Sequence, residues 1–235
     1  MNLNEQFIAR KKDIDAYYAI LEFIDNIETY KHSKIECLNT TLSLDVSTNM
    51  QQCMRASCII LLYNIIESTI MHCLQSLYDA VQDDSLKYKD LTDHIKYIWI
   101  KSQYSHNIQS KKMHDKTKEI MDEIEINLIK FDTNTYNDIS GNLDIKRIKK
   151  LTKSLGIDIE MHKMQDENRI ANDLLSIKNK RNKLAHGEDS FSTIGSLLTF
   201  SDLRRHKDNV YAFLEMVINK FDNFIKNKEY HKCVD

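Results

Sequence analysis

Proline is absent from this 235-residue chain, and glycine occurs only four times. That scarcity excludes turn-rich β-sandwiches and barrels, proline-rich linkers, glycine-loop nucleotide folds and collagen-like repeats as the main architecture. Charge of one sign is not in excess either: 33 Lys+Arg stand against 35 Asp+Glu, a formal net charge of −2. Bulk charge therefore does not draw the chain to nucleic acid, and any basic footprint has to be local. The longest apolar run, residues 58–63, falls far short of the roughly 20 residues a membrane span needs. Five cysteines, an odd number without close repeating pairs, do not form a secreted disulfide framework. The first fifteen residues, MNLNEQFIARKKDID, lack the apolar stretch of a signal peptide. The expectation is a reduced, cytoplasmic, all-α protein without a membrane partner.

What is present is helical periodicity. Ile14, Tyr17, Leu21, Ile24 and Ile27 recur at three- and four-residue spacing and predict one buried face of a helix over about 5–30. A polar stretch follows, in which Thr40 to Leu44 reads as briefly extended. Ser47 or Thr48 is a suitable N-cap for a helix over about 50–81. Its centre, CIILLYNIIESTIMHCL, is apolar almost all round and predicts a central bundle helix or a dimer interface. Thr92 is placed to cap a shorter helix carrying Ile95, Ile98 and Trp99. Residues 110–130 read as a charged amphipathic helix, and 131–144 (FDTNTYNDISGNLD) as a loop. Asp144 and Gly156 bracket the next helix, and Gly187 ends the one that starts near Asp166. Ser190, Phe191 and Gly195 read as loop. Ser201 or Asp202 then caps a last helix to about Lys226, with Val210, Phe213, Leu214, Val217, Ile218, Phe221 and Ile225 as its apolar stripe. No repeat and no domain boundary is visible, so residues 1–235 read as a single domain.

One segment concentrates chemistry. Residues 178–187, KNKRNKLAHG, put four cations into six positions, with no acid between Asp173 and Glu188. Cleavage of RNA through its own 2′-hydroxyl needs a base near that oxygen and a cation on the phosphate. Histidine suits the first role because its ordinary pKa lies near neutrality. Arginine suits the second, since its planar fork matches phosphate oxygens and stays charged. His186 and Arg181 are the candidates, with Asn182 able to orient either the phosphate or the imidazole. On an ideal helix Arg181 and His186 sit roughly 140° apart, so a loosened last turn or a cleft between two subunits is needed to bring them onto one phosphate. On the central helix, Ile60, Asn64, Glu67, Met71 and Leu74 share a stripe. The Glu67 carboxylate is thus expected to be at least half buried and to need a partner, and Arg181 is a candidate.

RNKLAHG resembles the Arg–four-to-six–His signature of HEPN domains (higher eukaryotes and prokaryotes nucleotide-binding), including the polar residue after the arginine. The long apolar helix before it, the GNLD helix start at Gly141–Asp144 and the helix after it resemble a bacterial HEPN-like nuclease family associated with toxin–antitoxin and defence loci. The resemblance implies an all-helical fold, dimerisation, and metal-independent endoribonuclease activity in a cleft shared by two subunits. It also implies a catalytic or structural role for Glu67, since active members often carry an acidic or polar residue on the central helix. Members regulated by modification of a tyrosine two residues after the histidine differ here, where that position is Glu188.

On this reading Arg181, Asn182, His186 and Glu67 are catalytic, and Lys178, Lys180, Lys183, Arg204 and Arg205 bind RNA. The expected partners are RNA, a second copy or a related chain, and a cognate antitoxin or defence protein. The basic run Lys146, Arg147, Lys149 and Lys150 reads as a solvated face or as the flank of an RNA groove. No cofactor is expected: Cys53, Cys58, His72 and Cys73 share one helix, but their spacing does not gather them around one zinc. The alternative is a catalytically silent HEPN module that binds nucleotide or a protein partner.

Overall fold

The computed structural model describes residues 3–27, 34–104, 117, 118, 120, 121, 124, 128–131 and 142–232. Helices dominate it: α1 (Leu3–Asp25), α2 (Thr48–Asp83), α3 (Asp93–Tyr104), α4 (Ile145–Ser154), α5 (Glu167–Ala185), α6 (Phe191–Ser196) and α7 (Phe200–Lys226). Strands β1 (Lys34–Glu36) and β2 (Ser43–Asp45) pair antiparallel, with Ile35 opposite Leu44. The expected all-α class holds; of the extended segment expected over Thr40–Leu44 only Ser43 and Leu44 lie in β2, and its partner β1 was not expected. Most of the charged helix expected over 110–130, and residues 132–141 of the loop expected over 131–144, lie outside the described residues.

Packing groups the chain into two compact units, Met1–Glu67 with Gln165–Leu214, and Ser68–Met164 with Glu215–Asp235. Each is assembled from separated segments, so no shift of composition along the chain marks either. Helices α2 and α7 contribute residues to both.

In the first unit, α1 buries Phe7, Ile14, Tyr18, Leu21 and Ile24. The stripe turns slightly from expectation: Tyr18 is buried and donates to the Leu203 carbonyl at 3.1 Å, while half-buried Tyr17 donates to that of Met54. Ser47, not Thr48, caps α2, its hydroxyl accepting from the Met50 amide at 3.2 Å. Gln51 then donates to the carbonyls of Ile24 and Ile27, satisfying the orphan acceptors at the end of α1. Arg55 joins Asp25 (2.6 Å) to the Leu198 carbonyl (3.1 Å). An 18-residue window of α2 has the hydropathy and length of a membrane span, but 56% of it is buried inside the chain, as for a core helix.

Two local expectations are corrected. Ser190, Phe191 and Gly195 belong not to a loop but to α6, which Ser190 caps by accepting from the Thr193 amide. Gly195 is what makes it fit: a Cβ there would lie 1.8 Å from the Gln52 carbonyl oxygen, so only glycine permits this approach. At the start of α7 the cap is Thr199, whose hydroxyl accepts from the Asp202 amide while Asp202 accepts in return. Ser201 and Asp202 lie inside the helix.

In the second unit, Asp144 caps α4 by accepting from the Arg147 amide at 2.8 Å, and Gly156 follows that helix at φ +86°. Thr92 precedes α3 as expected, but its hydroxyl is buried without a hydrogen-bond partner among the described residues, so it does not cap. Trp99 is core and donates to the Lys130 carbonyl at 2.9 Å. Asp84 gathers Lys228, Tyr230 and His231, at 2.8, 2.7 and 3.0 Å. The Lys228 ammonium and these neighbouring donors hold its carboxyl well below the usual carboxylate range.

Candidate functional site

Helix α5 carries the motif. Its apolar stripe, Ile170, Leu174, Ile177 and Leu184, is buried and fixes which way the remaining residues face. The helix ends in a Schellman closure: the Gly187 amide bonds the Leu184 carbonyl (3.3 Å) and the Glu188 amide bonds that of Lys183 (2.9 Å). Gly187 supplies the left-handed residue this requires, at φ +69°. The turn remains regular up to that point, since the His186 amide still bonds the Asn182 carbonyl at 2.9 Å. The last turn is therefore not loosened, and Arg181 and His186 stay on different faces of α5.

Arg181 points toward α2. Its guanidinium carbon stands 4.4 Å from the centre of the Tyr63 ring, and its Nη2 lies 3.9 Å from Glu67 Oε2. Nη1 donates to Asn182 Oδ1 at 3.2 Å. The side chains of Arg181 and Glu67 are 22% and 21% exposed, enough to keep one edge of the pair open to solvent. The expected half-buried carboxylate and its expected partner are thus together, with an aromatic face that the sequence reading did not assign. Tyr63 sits four residues before Glu67, one helical turn along α2, which is the signal that could have found it.

His186 is exposed at the C-cap, and among the described residues its ring makes no hydrogen bond or ion pair. The site as built within one chain holds Arg181, Glu67, Asn182 and Tyr63 together and leaves His186 apart.

The expected RNA-binding cations divide. Lys178 is half-buried, and Lys180 donates to Ser176 at 2.6 Å, with burial pushing its ammonium below the ordinary lysine value. Lys183 is exposed and bonds Asp189 at 2.8 Å, which holds its pKa above the ordinary value. Arg204 pairs with Glu22 on α1. Arg205 bonds Asp202 (2.8 Å) and Asp173 (3.2 Å). Arg204 and Arg205 therefore answer carboxylates of their own unit, and Arg205 serves packing between α5 and α7.

Sequence reasoning missed the centre of that packing. Asp173 is 6% exposed and accepts from Asn209 (2.7 Å) and Arg205, with His206 Nε2 at 3.2 Å from its other oxygen. His206 is 3% exposed, its Nδ1 has no partner among the described residues, and burial pushes its pKa down. The signal was present: Asp173 interrupts the stripe of Ile170 and Ile177, and His206 lies four residues before Val210 on the stripe of α7. A polar residue on an apolar stripe needs a partner on the facing helix.

Among the described residues, no group of three or more His, Cys, Asp or Glu could hold a metal ion. A family model described as HEPN_MAE_28990-like HEPN matches residues 1–230. No curated protein and no solved structure matches the chain.

Proposed function

The chain belongs to the HEPN_MAE_28990-like HEPN family, a helical module in which ribonucleases are common, and from that premise we propose that it is an endoribonuclease. The reading is a metal-independent enzyme that cuts RNA by attack of the 2′-hydroxyl on the adjacent phosphate. The observation that carries it is Arg181, stacked on Tyr63 and flanked by Glu67 and Asn182, five residues before an exposed histidine. Glu67 and Tyr63 restrict the guanidinium, so little side-chain freedom remains to be lost when a phosphate arrives. In the reaction His186 takes the 2′-hydroxyl proton or returns one to the departing 5′-oxygen. Arg181 offsets the charge that builds on the pentacoordinate phosphorus.

With the last turn of α5 regular, one chain does not offer Arg181 and His186 to the same phosphate. The proposal is a symmetric dimer whose two motif helices line a common groove, each supplying residues to the other. Ile59, Leu62, Tyr63, Ile66, Ile70 and Leu74 are buried in their own chain. The dimer thus rests on the placement of the motif, not on an apolar face left over on α2. Light scattering should give about twice the 27.7 kDa chain mass. The setting proposed is a cytoplasmic toxin or defence effector held in check by a partner protein.

The test is labelled RNA incubated with the pure protein in EDTA. Cleavage should persist and leave 2′,3′-cyclic phosphate and 5′-hydroxyl ends, and a 2′-deoxy residue at the cut should block it. His186→Ala should abolish cleavage with folding unchanged, since the side chain is exposed. Arg181→Ala should abolish it too, but at a stability cost of about 1–2 kcal/mol from the lost cation–π contact and ion pair. Strict Mg²⁺ dependence, 5′-phosphate products or activity in both variants would overturn the mechanism. A binding-only module is the second reading, favoured by the intramolecular hold on Arg181; retained RNA binding without cleavage would select it.

A further inference from the structure

The second unit holds a groove that plays no part in the Arg181 site. It has a volume of about 310 Å³ and lies between α3 and α4. Tyr97 and Lys101 of α3 and Arg147 and Lys150 of α4 form its walls, with Ile98 and Leu151 among the apolar residues beneath. No carboxylate lines it among the described residues. The imbalance begins in the sequence of α4, IKRIKKLTKS, in which five of ten residues are Lys or Arg and none is acidic. Three- and four-residue spacing puts Arg147, Lys150 and Leu151 on one face of that helix. In a chain whose net charge is −2, such concentration is local. Tyr97 is 62% exposed, an unusual placement for a large ring and one that leaves a flat face open at the mouth of the groove.

We propose that this groove holds a segment of single-stranded RNA, with a base stacked on Tyr97 and backbone phosphates against Lys101, Arg147 and Lys150. Repeated monoanions combined with flat π faces are what a single strand presents, and cations interleaved with an exposed aromatic are what binds it without sequence preference. An acidic peptide would answer the charge but not the open ring. An anionic lipid surface would answer the charge on a convex face, not in a recess between two helices. The choice of RNA as ligand rests on the ribonuclease reading, and the groove adds to it a place where the strand is held apart from the reacting residues.

The experiment uses the full chain and a short fluorescein-labelled 2′-O-methyl RNA, which cannot be cleaved by 2′-hydroxyl attack, followed by anisotropy between roughly 50 and 200 mM salt. Three phosphate contacts on a single strand predict a log–log salt slope of about −2, and the Arg147→Ala/Lys150→Ala variant should reduce it to about −0.7. Tyr97→Ala should weaken binding about fivefold or more with the slope unchanged. All three side chains are solvent-exposed, so melting temperatures should match the parent, and His186→Ala should bind the probe as the parent does. Wild-type affinity and slope in both groove variants overturn the proposal. So does displacement of the probe by phosphatidylserine vesicles whose own binding ignores Tyr97→Ala. Parent protein that binds the probe but cleaves no RNA would sink the catalytic reading alone; groove variants that bind normally while the parent cleaves would sink the groove alone.

Discussion

Asp173→Ala tests how α5 is held. The carboxylate is 6% exposed and answers three groups of α7: Asn209 at 2.7 Å, and Arg205 and His206 each at 3.2 Å. Arg205 retains Asp202 at 2.8 Å and is a third exposed, so it loses little when Asp173 is removed. His206 and Asn209 lose an acceptor, and His206 is buried. Breaking a buried, hydrogen-bonded charge by deleting one partner costs about 3–5 kcal/mol, and the escape left to Arg205 places this site near the lower end. Asp173→Asn keeps one acceptor oxygen and the volume and should cost about 1–2 kcal/mol. Urea denaturation followed by far-UV circular dichroism reads both. A cycle with His206→Ala should show coupling of about 1–3 kcal/mol, because the two side chains share one contact. A loss below about 1 kcal/mol for Asp173→Ala, with additive behaviour in the cycle, would refute the claim that this cluster locks the motif helix.

Two further outcomes follow from the same first unit. Burial lowers the His206 pKa, so the proton is bound more tightly by the unfolded chain. The stability it contributes is fully present above the ordinary histidine value of about 6.5 and is lost as pH falls below it toward the folded value. The melting temperature of the parent should therefore decline between pH 7.5 and 5 more steeply than that of His206→Gln, and parallel curves would refute it. Gly195→Ala should destabilise by more than about 3 kcal/mol or displace α6, because the added methyl would meet the Gln52 backbone at 1.8 Å with no flexible side chain to give way. Soluble protein with an unchanged melting temperature would contradict that contact.

The helices and their ends were legible where one residue decides them. Asp144 caps α4, and Gly156 and Gly187 take positive φ, as their positions after apolar stripes required. The Glu67–Arg181 pair was legible because a carboxylate on an apolar stripe has to be answered, and a single arginine stood in the chemical motif. Other features depended on tertiary distance. Thr199 displaced Ser201 and Asp202 as the cap of α7 because the helix starts one turn earlier, with Phe200 beside Tyr18 at a ring separation of 6.4 Å. Segment 191–196 read as loop because its glycine lowers helix propensity, while the close approach to Gln52 that makes glycine necessary cannot be seen along the chain. The basic residues 204 and 205 read as free cations; Glu22 and Asp173, which answer them across the fold, are 182 and 32 residues away, whereas Asp202, also paired with Arg205, lies only three residues before it. The basic run at 146–150 reads along the chain as a solvated face or as the flank of an RNA groove, and only the fold supplies Lys101 and an exposed Tyr97 beside it.

The discontinuous make-up of the first unit has a consequence for synthesis. Tyr18 reaches a carbonyl 185 residues further on, and Tyr211 reaches back to Asp15. When α1 and the start of α2 leave the ribosome, the helices that cover them do not yet exist. At about 5–20 residues per second, the 189 residues from Asp25 to Leu214 take roughly 10–40 s to be made. For that interval the apolar stripes of α1 and α2 stand open to chaperones and to the same segments of neighbouring nascent chains. The helix bearing Arg181 is itself complete only after residue 185, late in that interval. Translation therefore delivers the two halves of this packing far apart in time, and the motif helix arrives only when most of the chain has been made.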